Sequence, residues 1–159
     1  MKLSRPYVLA GAALSLVALG LGSATLTQAA SPTRLPSVTA RAGVAPVVGK
    51  PSGTAPAKLV TKDIIVGKGK KALLSSNVTA QYVLMSWKTG KVLQSSWPTG
   101  FSTRLADVIA GWQVGIPGMK VGGRRLLVIP PALAYGPAGG GGIGPNETLV
   151  FVVDLLAVK

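Results

Sequence analysis

The chain contains no histidine and no cysteine, and only four carboxylates in 159 residues: Asp63, Asp107, Glu147 and Asp154. Without histidine there is no Ser/His/Asp triad and no imidazole proton relay. Without cysteine there is no thiolate nucleophile and no Cys/His zinc site. The four carboxylates are scattered along the chain, which argues against paired-carboxylate hydrolysis and against an oxygen-ligand metal cage. Asp154 lies inside an apolar run and reads as a residue on a solvated strand face. Asp107 directly precedes such a run and reads as a helix N-cap. The missing cysteines fit either redox compartment. Any chemistry must come from an apolar surface with few hydrogen-bonding groups, and neither a metal nor a cofactor is expected.

Acids are scarce but bases are not: 17 Lys and Arg give a net charge of +13. Such a balance favours contact with an anionic partner, an envelope surface included, or simply solubilises the chain. The bases are spread out and not interleaved with aromatics, so nucleic acid is not the expected partner.

Composition divides the chain in three. Residues 1–30 have a positive start (Lys2, Arg5), an apolar stretch from Val8 to Leu21, and small residues around Ala29 and Ala30. This is the pattern of a signal peptide, and export is expected. The uncharged run from Pro6 to Pro32 leaves an uncleaved membrane anchor as the alternative. Residues 31–57 hold five prolines and three bases with no acid and no aromatic; they read as a disordered Pro-rich basic linker that cannot offset its chain entropy by burial. Residues 58–159 read as one folded domain.

Within that domain, strands are predicted over Lys62–Val66, Asn77–Trp87, Lys91–Gln94, Arg124–Ile129 and Glu147–Val158. The last places Leu149, Phe151, Val153 and Leu155 on one side. Val108, Ile109, Trp112 and Ile116 recur at helical spacing after Asp107, and Gly111 and Gly115 keep that helix short. The class is α+β: an antiparallel sheet wrapped around one short amphipathic helix. Ala132–Asn146 is a long Gly-rich loop, the kind of segment that borders binding sites. Trp112 could simply plug a core. Tyr135, set in that loop, is less expected to be buried for packing alone.

Four motifs in order resemble the FKBP-type peptidyl-prolyl cis/trans isomerases. They are V-I-x-G-W at Val108–Trp112, G-M-x-V-G-G-x-R at Gly118–Arg125, I-P-P-x-L-A-Y-G at Ile129–Gly136, and P-N-x-T-L-V-F at Pro145–Phe151. The resemblance runs from about residue 60 to the C-terminus. It implies a shallow pocket of Tyr82, Phe101, Val108, Ile109, Trp112, Tyr135, Ile143 and Phe151 that takes proline-containing polypeptides and macrolide inhibitors. In it the Ile109 N–H and the Tyr135 hydroxyl bond ligand carbonyls. With the export read from residues 1–30, a monomer acting on exported proteins is expected. Leu93 and Gln94 depart from the Phe-Asp the family usually has there, and Thr103 stands where a second aromatic is common. A non-catalytic module that binds proline segments through the same pocket, as a chaperone, is the alternative.

Overall fold

The computed structural model describes residues 31–159. The signal peptide or anchor expected over residues 1–30 lies outside the described residues. Six strands form one antiparallel sheet: β1 (Val60–Ile65), β2 (Asn77–Ser86), β3 (Val92–Ser95), β4 (Phe101–Arg104), β5 (Arg124–Ile129) and β6 (Leu149–Val158). Their order is β1-β5-β6-β2-β3, with β4 paired to the first half of β2 beside β3. One helix, α1 (Ala110–Gly115), lies against it. This is the expected α+β arrangement. No helix among the described residues is long and apolar enough to cross a membrane.

Alternation along β6 sets the layering, because successive strand side chains point to opposite faces. Leu149, Phe151, Val153 and Leu155 turn inward with Val78, Ala80, Leu84, Leu127 and Ile129, and Trp112 and Ile116 of α1 close this core. Val150 and Val152 turn outward with Met85, Trp87, Leu126 and Val128, yet they too are buried. Both faces of the central strands are therefore covered, which explains why β6 reads as nearly continuous apolar sequence.

What covers the outer face is the segment read as a disordered tether. Residues 31–57 instead form an irregular antiparallel strap, with Arg34 N–H to Ser52 O at 2.9 Å and Gly49 N–H to Ser37 O at 2.8 Å. It lays Leu35, Val38, Val48 and Ala55 on the outer face. Trp87 Nε1 donates to Gly53 O at 3.3 Å. The strap's composition gives it no core of its own, and the apolar partner it lacks is supplied by the sheet.

The strap also overturns the solvated reading of Asp154. That carboxylate accepts from Arg124 Nε at 2.6 Å and from its terminal nitrogen at 2.7 Å, and the guanidinium is fully buried. Arg124 completes its set by donating to Thr39 O and Val44 O of the strap, both at 2.7 Å. A buried cation needs this many acceptors to offset its lost hydration.

Candidate functional site

The helix is short because it must come close. A Cβ built on Gly111 runs into the Ile129 side chain, and one on Gly115 into Leu127 Cδ2. These two glycines let α1 settle onto β5 and carry Trp112 to the inner face of the sheet, where its indole is 3 % exposed. Val108 is extended and not helical, and Ile109, also outside the helix, occupies the N-cap position without a side-chain cap. Asp107 is therefore not the cap it resembled. It ends a 3-10 turn (Leu105–Asp107) and stands 3.5 Å from the Arg104 guanidinium.

Four aromatic rings, the indole among them, meet on the inner face of the sheet. Trp112 packs edge-on against Tyr82 at 5.7 Å, Phe101 at 6.3 Å and Phe151 at 5.5 Å between centroids. Tyr82 also meets Phe101 at 5.9 Å, nearly perpendicular. Edge-to-face packing is the arrangement ring quadrupoles favour, so the box holds its shape without a ligand. The rings enclose a cavity of about 220 Å³ that opens to solvent. Val108, Ile109, Tyr135, Gln94 and Asp107 complete its wall.

Few polar groups reach this cavity. Tyr82 donates its hydroxyl to Gln94 Oε1 at 2.9 Å. Burial pushes the Tyr82 phenol up from its ordinary range, and the neighbouring Tyr135 phenol adds to the rise. Neither the Tyr135 hydroxyl nor the Ile109 N–H has a partner among the described residues. The buried Trp112 Nε1 also finds none. Tyr135 stands 39 % exposed at the rim. Gly140 and Gly141 lie against its ring, and the whole Gly139–Gly142 run has positive φ, a backbone conformation that favours glycine.

The structure thus brings Tyr82, Phe101, Val108, Ile109, Trp112, Tyr135 and Phe151 to one cavity, and Gln94 with them. Two expected residues stand elsewhere. Ile143 is turned into the core, and its backbone pairs with Gly140 to close the glycine loop. Leu93, next to Gln94 on β3, points away and is 41 % exposed, as alternation requires. Asp107 was missed as a wall residue, since its position before an apolar run is equally that of a cap. No group of three or more carboxylates forms among the described residues.

The result is an open apolar hollow, floored by an indole, rimmed by phenols and holding no acid–base pair. Residues 68–156 match the FKBP-type peptidyl-prolyl cis-trans isomerase family. The chain is 49 % identical over 114 residues to a probable FK506-binding protein of Corynebacterium glutamicum, covering 70 % of this chain and 97 % of that protein. It is 48 % identical over 119 residues to the FK506-binding protein of Streptomyces anulatus, covering 71 % and 96 %. The crystal structure of FkpA from Escherichia coli superposes with a TM-score of 0.60 at 45 % identity, over 64 % of this chain and 48 % of that one. The protein belongs to the FKBP-type isomerase family, whose members bind proline-containing substrates and FK506-type macrolides, and isomerisation of peptidyl-prolyl bonds is its activity.

Proposed function

We propose that the aromatic hollow over Trp112 is where this isomerisation takes place, on prolines of exported polypeptides, and that it also accepts FK506-type macrolides. The observation that carries this reading is the pre-formed box of Tyr82, Phe101, Trp112 and Phe151 beneath two unpartnered polar groups, the Ile109 N–H and the Tyr135 hydroxyl.

Rotation about an X–Pro bond faces a barrier of about 18–20 kcal/mol because amide resonance must be broken. The planar amide is the more polar state. Removing it from water into an apolar hollow therefore destabilises the ground state more than the twisted transition state. The indole seats the pyrrolidine ring, while the Ile109 N–H and the Tyr135 hydroxyl orient the flanking carbonyls. No bond to the protein forms and no proton needs to move. Lowering the barrier by about 7 kcal/mol accelerates rotation by roughly five powers of ten.

The test is exchange spectroscopy on an X–Pro peptide, with and without protein, repeated after adding FK506. Catalysed exchange that the macrolide suppresses is expected. A second reading, a binding module without catalysis, draws on the exposed Leu93 and on Gln94. It takes over if peptide binds while exchange stays at the uncatalysed rate.

Export rests on the composition of residues 1–30, and a monomeric isomerase domain over 58–159, with the strap joined to its outer face, completes the proposal.

A further inference from the structure

Away from the cavity, the connection from β1 to β2 concentrates charge. Lys68, Lys70 and Lys71 fall within four residues and are followed by Leu73 and Leu74. This connection is zipped to the segment ahead of β5. Gly69 N–H donates to Val121 O at 3.0 Å, Val121 N–H to Lys70 O at 3.0 Å, and Ala72 N–H to Met119 O at 2.8 Å. The pairing sets Lys71 directly opposite Lys120. Like charges facing each other across a pair destabilise the fold, so folding alone gives no reason for that placement.

Among the described residues no carboxylate lies within ion-pair distance of these lysines. No acidic residue occurs between Asp63 and Asp107. Among the described residues every carboxylate is engaged elsewhere: Asp63 with Arg125, Asp107 with Arg104, Asp154 with Arg124, and Glu147 with the Ser86 hydroxyl. None of the four lysines takes part in an ion pair there.

The same loop presents apolar side chains. Ala72 is sealed into the core, whereas Leu73 and Leu74 are 56 % and 49 % exposed, and Val66 at the start of the connection is 74 % exposed. The two leucines sit on a fixed turn: Leu73 N–H donates to Ser76 Oγ at 3.1 Å, and Ser76 N–H returns to Leu73 O at 3.0 Å. Holding two leucines in water beside unpaired lysines has the chemistry of an interfacial anchor, in which ammonium groups meet lipid headgroups and aliphatic side chains enter the acyl boundary.

We propose that this loop pair, Val66–Leu74 with Lys120, docks the domain on an anionic phospholipid surface. Nucleic acid suits it less well, since the patch offers leucines and no aromatic ring on which a base could stack. The docking stands apart from the isomerase reading, because none of these residues lines the cavity.

The sequence has no cysteine, so Leu74→Cys in the full chain carries one environment-sensitive dye at one known site. Phosphatidylcholine vesicles with and without phosphatidylglycerol serve as probes. The expected result is a blue-shifted emission on the phosphatidylglycerol vesicles alone, fading as salt rises. Lys70→Ala with Lys71→Ala should weaken that binding by about 25-fold, each lysine contributing roughly fivefold, while isomerase activity stays unchanged. In the unlabelled chain, Leu73→Ser with Leu74→Ser should lower co-sedimentation with the same vesicles. The proposal is overturned by an absent shift, by an equal shift on neutral vesicles, by a shift on duplex DNA alone, or by full co-sedimentation of the serine variant.

Discussion

Tyr82 and Tyr135 face one cavity with different partners, and that difference sets what each can do. Tyr82 has already given its proton donor to Gln94, so its task is to hold the wall. Tyr135 keeps an unpartnered hydroxyl at the rim, so removing that oxygen costs a ligand contact and no internal bond. Tyr135→Phe is expected to lower kcat/KM by roughly 3- to 10-fold, the worth of one neutral hydrogen bond, with an unchanged unfolding midpoint; an unchanged kcat/KM in the exchange assay would remove the hydroxyl from the mechanism. The pH dependence follows from the same residues. Gln94 does not titrate, no imidazole exists in the chain, and burial raises the Tyr82 phenol. Activity should therefore be level between about pH 6 and 9. Below the free phenol's ordinary value of about 10 both folded and unfolded states keep the Tyr82 proton. Above it the unfolded chain ionises first, so this contribution to stability is lost as pH rises through the higher folded value. A pH–rate profile with an inflexion near neutrality would mean that a titrating group acts in the site.

At the level of elements, one side chain of β5 hydrogen-bonds both the strap and β6, beside the strap's apolar contacts with the sheet. Among the described residues, Arg124 alone donates both to Asp154 on β6 and to the carbonyls of Thr39 and Val44. Arg124→Met leaves a carboxylate buried without its cation, and urea unfolding should show a loss of about 3–5 kcal/mol. Adding Asp154→Leu should restore most of it, since an apolar pair of similar size removes the stranded charge. A single variant as stable as the parent would mean that water reaches Asp154. Five of the six strands were legible from sequence as β-branched and apolar runs bounded by turn residues, a local signal, whereas β4 (Phe101–Arg104), with Phe101 its one apolar residue, gave none. Trp112 and Tyr135 could be picked out for a related reason, each being a rare aromatic inside a motif, and Tyr82 as a rare aromatic inside a predicted strand. Arg124 in β5 and Asp154 in β6 carried no such sign. Their pairing depends on register across two strands and on cover from a third segment, neither of which is written in the residues beside them. Asp107 failed through degeneracy, since an acid ahead of an apolar run fits a helix cap and a pocket rim alike. Ile143 failed through direction: its place in the loop was right, but its side chain completes the core.

At the level of the whole molecule, the strap decides where the folded unit starts. Residues 31–57 leave the cavity untouched, for they lie on the outer face while the four rings lie on the inner one. Stability and catalysis should therefore separate on truncation. A chain spanning 58–159 uncovers Met85, Trp87, Leu126, Val128, Val150 and Val152, and deprives the Arg124 guanidinium of two acceptors. Hydrogen bonds to a charged group contribute about 1.5–3 kcal/mol each, so losing two should lower stability by about 3–6 kcal/mol relative to a chain spanning 31–159. The uncovered sheet should also bind an apolar dye that the longer chain ignores. Exchange rates per folded molecule should agree between the two, measured where both are folded. Equal unfolding midpoints and no dye binding would return the strap to the status of a tether, and a slower exchange rate in the short chain would mean that the outer layer supports the geometry of the inner one.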